Sequence, residues 1–182
     1  ATGLLICLIG RATKRMEHFM GLPKTYTGVL RLGEVTPSYD AETDVTERHA
    51  WEHLTEADLE AARQAFLGPI EQTPPAYSAI KVGGERLYKK ARRGETVEVP
   101  SRSVRVDRFD ITGWEGPNVS FRIDCSKGTY IRSIAHDVGR HLGVGAHLVA
   151  LRRTAIGPYD VSRAWRIDQL EHAAASHAES DS

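Results

Sequence analysis

The chain has 182 residues, 41% of them hydrophobic, so it can bury a substantial core, and one large domain is the simplest expectation. Its 24 basic and 24 acidic residues balance, so the overall charge identifies no class of partner. The two cysteines, Cys7 and Cys125, form neither a disulfide framework nor a metal-ligand spacing, which fits a reducing cytoplasm. The longest apolar run, 4–9, has six residues and is too short to span a bilayer.

Hydrophobic periodicity predicts an alternation of helices and strands along the chain. In order, these are a helix around 10–20, a strand over 27–32, a helix from Thr55 to the Gly68-Pro69 stop, a short basic helix over 87–93, strands over 102–111 and 119–125, and helices over 131–142 and 167–175. Thr55 and Asp58 have the spacing of a capping box. The apolar alternation in 102–111 slips once, which indicates a bulge. Because no regular β–α–β rhythm appears, the pattern favours an α+β or mixed-sheet domain over a doubly wound one.

Basic charge is concentrated in residues 81–108, which carry nine basic and four acidic side chains. Tyr77 and Tyr88 alternate here with cations such as Lys81 and Arg86. Aromatic rings can stack on nucleic-acid bases while Lys and Arg contact phosphates, so this stretch is a candidate polyanion-binding segment. A solvated surface laced with salt bridges is the alternative.

Charged and aromatic side chains also mark the junction between the predicted strand at 119–125 and the helix after it. Arg132 falls in the first turn of that helix, where a cation opposes the helix dipole by about 0.3–1 kcal/mol. Its neighbours belong to the apolar stripe, so we expect a carboxylate partner to compensate the charge. Lys127 adds a point charge and Tyr130 an aromatic face, which makes the junction a candidate anion or carboxylate site. An ordinary loop with exposed cations is the alternative.

Other common kinds of site receive little support from the sequence. The eight histidines lack cysteine or carboxylate neighbours at metal-ligand spacing, so no metal site is predicted. No glycine-rich phosphate loop of the P-loop or dinucleotide type is present. Tyr26, in the tripeptide Lys24-Thr25-Tyr26 before a predicted strand, is a further candidate site residue, with packing in the core as the alternative.

Long ordered motifs occur in four segments of the chain. They read ATGLL at 1–5, KTYTGVLRLG at 24–33, PPAYSAIKVGGERLYKKARRG at 74–94 and CSKGTYIRSIAHDVGRHLGVGAHLVALRR at 125–153. Together they resemble the TruB-type tRNA pseudouridine synthases, and the resemblance extends to about Leu170. It implies an α+β fold, the pseudouridine synthase fold, with a mixed, largely antiparallel central sheet flanked by helices. Residues 1–170 would form the catalytic domain, with an insertion at about 74–102 and a disordered polar tail over 171–182.

The resemblance also implies an activity. The family isomerises a specific uridine in the T arm of tRNA to pseudouridine, flips the base into a pocket and uses an aspartate nucleophile with no cofactor or metal. The implied protein is a cytoplasmic monomer with tRNA as its partner, no membrane association and no obligate protein partner. Two alternatives are an RNA-binding or tRNA-folding chaperone without chemistry, and the guide-RNA-dependent catalytic subunit of a ribonucleoprotein.

Individual roles follow from the resemblance. Tyr26 resembles the active-site tyrosine that stacks on the flipped base and is positioned for proton transfer, and Arg132 resembles the arginine that pairs with the catalytic aspartate. The insertion resembles a segment that closes over the T loop. The residues that the resemblance and the charge pattern assign to substrate binding are Tyr26, Lys127, Tyr130, Leu151, Tyr77, Lys81, Arg86 and Tyr88.

The nucleophile itself is expected outside the printed sequence. In the family it lies in a Leu-Asp-Pro-Leu segment directly before Ala-Thr-Gly, which places it three positions before Ala1. The resemblance assigns this role to none of Asp40, Asp44 or Asp58. Because the chain opens in mid-element and not with Met, we expect that segment to lie upstream.

Overall fold

A seven-stranded sheet forms the centre of the fold. The computed structural model describes residues 1–75, 77, 81–82, 84–87, 93 and 99–172. In chain order the strands are β1 (Thr2–Gly3), β2 (Lys24–Leu32), β3 (Glu34–Val35), β4 (Glu47–Arg48), β5 (Gly68–Gln72), β6 (Lys81–Val82), β7 (Glu85–Arg86), β8 (Arg102–Glu115), β9 (Asn118–Cys125), β10 (Ala146–Ile156) and β11 (Tyr159–Asp160). Helices α1 (Met16–Gly21), α2 (Glu56–Ala65) and α3 (Ile131–His141) are accompanied by 3-10 turns at Gly10–Arg15 and Val161–Arg163.

The order of strands across the central sheet is β1-β10-β2-β9-β8-β5, and β11 pairs with β10. β1 runs parallel to β10, and the other neighbours in this sheet are antiparallel. Two small hairpin sheets, β3–β4 and β6–β7, lie apart from it. The prediction of an α+β fold with a largely antiparallel sheet is confirmed.

Helix α2 begins as its sequence predicts. The Thr55 hydroxyl accepts a hydrogen bond from the Asp58 backbone N–H at 3.3 Å, and the Asp58 carboxylate accepts one from the Thr55 N–H at 2.8 Å. This capping box satisfies two backbone donors at the helix start. Leu59 and Ala62 are the buried residues of the helix, so α2 covers the core with one narrow face.

The core lies between the sheet and the apolar stripe of α3. Strand β9 alternates strictly between buried and half-buried residues, as predicted. Phe121 in this strand meets Phe109 of β8 edge to face, with ring centroids 6.1 Å apart. Ile134 and Val138 of α3 belong to the same cluster of buried residues. Burying each large apolar side chain contributes about 1.5–3 kcal/mol, so this stripe fixes α3 on the sheet.

Several predicted boundaries differ from the structure. β2 begins at Lys24, earlier than the predicted residue 27, because its pairing with β9 extends from Lys24 to Arg31. β8 continues past residue 111 to Glu115, and its pairing with β9 shifts register twice, in agreement with the predicted bulge. The last helix is observed over 167–172, where the described chain ends. Most of the predicted helix at 87–93 and the tail after residue 172 lie outside the described residues. Within the described ranges no helix is long and apolar enough to cross a membrane.

Gly139 permits α3 to approach the start of β10 closely. A Cβ atom at this position would lie 2.1 Å from the Ala146 nitrogen and 2.3 Å from the Gly145 carbonyl carbon, so the backbone itself would have to move. The Gly139 carbonyl also accepts hydrogen bonds from the N–H groups of Val144 and Gly145. The helix and the strand are therefore locked together at this point.

We expect Gly139→Ala to lower the free energy of unfolding by about 1–3 kcal/mol, the usual cost of forcing atoms into a packed interior. Urea denaturation measures this change. Gly21→Ala is the matched control, since a Cβ atom at Gly21 meets no described atom within 4 Å and should change stability by less than about 0.5 kcal/mol. Equal effects of the two substitutions would contradict the close approach.

Candidate active site

A cavity of about 480 Å³ lies where β1, β2, β10 and the start of α3 meet. Its lining residues are Ala1, Thr2, Gly3, Leu4, Leu5, Tyr26, Thr129, Tyr130, Ile131, Arg132, Leu151 and Arg153. The cavity therefore brings together four of the predicted site residues, namely Tyr26, Tyr130, Arg132 and Leu151. Tyr26 and Leu151 come from neighbouring strands, Tyr130 from the junction before α3 and Arg132 from the first turn of α3.

Tyr26 is placed in the cavity by the pairing of β2 with β10. It lies opposite Arg153, and Leu151 lies two residues earlier on β10, so both of these side chains share one face of that strand. Burial raises the pKa of Tyr26 above its ordinary value, and a hydrogen bond with Arg153 opposes part of this rise. The phenol therefore keeps its proton at neutral pH.

The backbone of Tyr130 is held by the end of β5. The side chain of Gln72, which is buried, accepts a hydrogen bond from the Tyr130 N–H at 2.7 Å and donates one to the Tyr130 carbonyl at 2.9 Å. One turn into α3, the Ser133 hydroxyl donates to the Thr73 carbonyl at 3.0 Å. The two Gln72 bonds engage both backbone groups of Tyr130, the residue at the start of a helix that has no capping side chain of its own.

The ring of Tyr130 is held from another direction. The guanidinium carbon of Arg102 lies 4.5 Å from the ring centroid, a cation–π arrangement. Arg102 also donates a hydrogen bond to the Gly128 carbonyl, in the turn that precedes Tyr130. Gly128 has φ +81°, a left-handed conformation that suits glycine in this turn. Arg102 thus fixes both the ring and the loop that carries it.

Arg132 forms an ion pair with Asp40. Its Nη1 donates to the Asp40 carboxylate at 2.8 Å, and both side chains are mostly buried, with 21% and 15% of their surface exposed. Nη2 donates to the backbone carbonyl of Tyr77 at 2.9 Å. The carboxylate that the sequence analysis expects beside a cation in the first helical turn is therefore present, although Asp40 was assigned no role there.

The loop that contains Asp40 holds the carboxylate in place. Its other oxygen, Oδ1, accepts hydrogen bonds from the Ser38 hydroxyl at 2.6 Å and from the Glu42 N–H at 3.0 Å. The Thr36 hydroxyl donates to the Asp40 carbonyl at 2.7 Å. Thr36 and Ser38 are buried polar residues, so the loop is organised from within.

The remaining predicted residues lie elsewhere. Lys127 is exposed in the turn before α3 and does not line the cavity. Tyr77 is half-buried and contributes its carbonyl to Arg132. Lys81 and Arg86 face each other in the register of the β6–β7 hairpin, and their side chains, like Tyr88, lie outside the described residues.

The cysteine beside the site is a core residue. Cys125 ends β9, and its thiol donates a weak hydrogen bond to the Lys24 carbonyl at 3.7 Å. Burial raises the pKa of the Cys125 thiol to about 11, so it stays protonated at neutral pH and packs as a small apolar group. It does not line the cavity.

Comparison with known proteins supplies the family. Residues 1–131 match the family model described as TruB family pseudouridylate synthase (N terminal domain), and residues 132–182 match the one described as tRNA pseudouridylate synthase B C-terminal domain. The chain belongs to the TruB family. The boundary between the two matches falls at the start of α3, whose apolar stripe packs in the same core as β9, so the described parts of both share one core.

Individual TruB relatives are similar over most of the chain. It is 46% identical to tRNA pseudouridine synthase B of Flavobacterium johnsoniae, with 95% of this chain and 76% of the relative covered. It is 48% identical to tRNA pseudouridine synthase B of Opitutus terrae, with 94% of this chain and 71% of the relative covered. Among solved structures, the Cbf5-Nop10-Gar1 complex contains a chain with a TM-score of 0.60 and 28% identity, over 84% of this chain and 36% of that one.

Sequence reasoning missed three residues that hold the wall of this cavity in place: Asp40, Gln72 and Arg102. Each acts on the junction from a distant part of the chain, Asp40 from 92 residues before Arg132. A polar residue at the end of a strand, such as Gln72, carries no local signal of such a role. Arg102 is, by sequence, one cation among the nine of the basic segment 81–108. Asp40 likewise carries no local signal, because its partner Arg132 is a neighbour in space and not in sequence.

We expect Arg102→Ala to lower the free energy of unfolding by about 1–2 kcal/mol, because the ring contact and the hydrogen bond to Gly128 are both lost. Urea denaturation measures this change. Arg105→Ala is the control, since Arg105 is 61% exposed and its bond to Asp107 should contribute less than about 0.5 kcal/mol. Arg102→Lys keeps the charge without the planar fork, and full stability in that variant would contradict the stacking role.

Proposed function

We propose that this chain isomerises a uridine in the T arm of tRNA to pseudouridine. The observation that carries the proposal is the cavity, in which Tyr26, Tyr130, Arg132 and Leu151 converge as the family resemblance implies. Membership of the TruB family and relatives named tRNA pseudouridine synthase B support the reaction and its tRNA substrate.

The cavity suits a flipped nucleotide. Its volume of about 480 Å³ falls within the range of roughly 300–1,000 Å³ typical of small-molecule sites, which excludes a paired duplex. A base held within a folded T loop must leave its stack to enter such a pocket. Tyr26 and Tyr130 offer aromatic faces to the extruded base, and Leu151 offers an apolar contact.

The isomerisation conserves every atom. The bond from C1′ to N1 of uracil breaks, the base turns, and a bond from C1′ to C5 forms. C5 then loses its proton and N1 gains one, so the reaction needs a group that accepts and returns protons beside the base. The phenol of Tyr26, which keeps its proton at neutral pH, is our candidate for this exchange: it donates its proton to N1, and the phenolate that results accepts the proton from C5.

We propose that the nucleophile is the aspartate expected three positions before Ala1. Ala1, Thr2 and Gly3 line the cavity, and β1 is fixed there by pairing with Arg152 and Arg153. The backbone that leads into Ala1 therefore reaches the cavity wall. Within the described chain, Nε–H and one Nη2–H of Arg132 make no hydrogen bond, so they are available to a second carboxylate or to the substrate.

The alternatives receive less support. A chaperone without chemistry would not require an aromatic cavity beside a buried arginine. A guide-RNA-dependent subunit fits less well because the relatives named tRNA pseudouridine synthase B reach 46–48% identity, against 28% for the Cbf5-Nop10-Gar1 chain. A monomeric state, the absence of an obligate protein partner and a cytoplasmic location stay predictions.

We expect the protein expressed from its complete reading frame to release tritium from C5-labelled uridine in a tRNA transcript, at one T-arm position. Tyr26→Phe should lower kcat about 100-fold or more while tRNA affinity changes less than about twofold, because the ring is kept and only the proton is lost. Tyr159→Phe is the control, as Tyr159 is an exposed tyrosine on β11. Binding of tRNA without tritium release would instead support the chaperone.

A further inference from the structure

Tyr39, next to Asp40, adopts a backbone conformation that is unusual for its residue type. Its φ is +63°, and within the described ranges it is the one residue other than glycine with a positive φ. A side chain with a bulky ring rarely adopts this left-handed region. Such a residue persists only where its surroundings hold it in place, and it often marks a functional loop.

Three contacts hold Tyr39. Its N–H donates to the Thr36 carbonyl at 3.2 Å, and its carbonyl accepts from the Leu148 N–H of β10 at 3.0 Å. Its ring stacks on the imidazole of His136, with centroids 3.8 Å apart and planes 12° from parallel. The two hydrogen bonds fix the backbone, and the stack fixes the side chain.

His136 belongs to the same helix face as Arg132. The two residues are four apart on α3, so their side chains lie one turn from each other. The loop over 36–43 therefore contacts α3 at two successive turns, through Asp40 on Arg132 and through Tyr39 on His136. Because Tyr39 and Asp40 are adjacent, the position of one restricts the other.

The stack is what orients the imidazole. Nδ1 of His136 is buried and has no hydrogen-bond partner within the described chain, so no hydrogen bond at that atom fixes the ring. Burial lowers the pKa of His136, and the nearby Arg140 lowers it further, so the ring is neutral at pH 7. Two neutral rings at this distance attract through dispersion and offset stacking, without need of a charge.

We propose that Tyr39 is a positioning residue: its ring, stacked on His136, holds Asp40 against Arg132 and thereby orients the guanidinium at the cavity. Tyr39 does not line the cavity, so it acts through the ion pair and not on the substrate. The expected change in kcat rests on the proposed function. The expected change in the position of Asp40 against Arg132 does not depend on that function.

The competing explanation is that Tyr39 only stabilises its own loop and does not position Asp40. Three substitutions distinguish the two explanations. Tyr39→Phe keeps the ring, Tyr39→Leu removes it, and Tyr39→Asn removes it while placing there a residue that tolerates positive φ. If the ring positions Asp40, Asn should behave as Leu does. If only the backbone conformation matters, Asn should behave as wild type.

We expect Tyr39→Leu and Tyr39→Asn to lower kcat about 10- to 100-fold, the effect of displacing a positioning group by a fraction of an ångström, while KM for tRNA changes less than about twofold. Tyr39→Phe should remain within about twofold of wild type.

Substitutions of His136 test the same stack from the helix, in case a Tyr39 variant does not fold. His136→Phe keeps an aromatic ring and should retain activity, and His136→Ala removes the ring and should lose activity. A change in KM in place of kcat would overturn the proposal, and so would a loss of activity in Tyr39→Phe or His136→Phe.

A double substitution tests whether the effect passes through Asp40. In an Asp40→Asn background, Tyr39→Leu should lower kcat by less than about twofold further, because the contact that it positions is already lost. If Tyr39→Leu lowers kcat by the same factor with and without Asp40→Asn, the two residues act independently and the proposal is overturned.

A last arm is independent of turnover. The His136 ring protons should resonate upfield in NMR spectra of wild type and Tyr39→Phe, and lose that shift in Tyr39→Leu. The Arg132 Nε–H signal should change in Tyr39→Leu and stay as in wild type in Tyr39→Phe. If the protein shows no turnover but both signals behave so, the proposed function fails and the positioning role stands. If Tyr39→Leu leaves the Arg132 signal unchanged, the positioning role fails.

Discussion

The structure around the cavity depends on one constraint, which is that Arg132 places a permanent positive charge in the first turn of a mostly buried helix. The helix dipole opposes this charge, and the apolar stripe of α3 excludes much of the water that would solvate it. Asp40 supplies the counter-charge at 2.8 Å, and the Tyr77 carbonyl accepts a further hydrogen bond. A guanidinium held in this way keeps a fixed position and still has donors for a second anion.

The surrounding strands hold the other cavity residues in place beside this ion pair. The sheet brings β2 and β10 together so that Tyr26 and Leu151 share the cavity, and the end of β5 fixes the backbone of Tyr130 through Gln72. Arg102 fixes the ring of Tyr130 from the start of β8. These contacts come from strands far apart in the sequence. The junction before α3 is thus rigid on the side that faces the cavity, as a site that must orient a flipped base requires.

Local patterns predicted much of this arrangement. The capping box at Thr55, the alternation in 119–125 and the helical spacing after residue 131 each depend on neighbours in the sequence, and each appears in the structure. The dipole argument predicted a carboxylate beside Arg132 for the same local reason. It could not identify Asp40, because that pairing depends on how a loop 92 residues away folds over α3. Gln72 and Arg102 were missed for the same reason, since both act across the sheet.

The most direct test of this account is a double-mutant cycle on the free energy of unfolding, with Arg132→Met, Asp40→Asn and both together. Urea denaturation provides the four values without reference to any substrate. If Asp40 compensates the buried guanidinium, the two substitutions should be non-additive by at least about 1 kcal/mol, with the double variant less destabilised than the sum of the single ones. Additivity within about 0.5 kcal/mol would contradict the account, because the two charges would then not depend on each other.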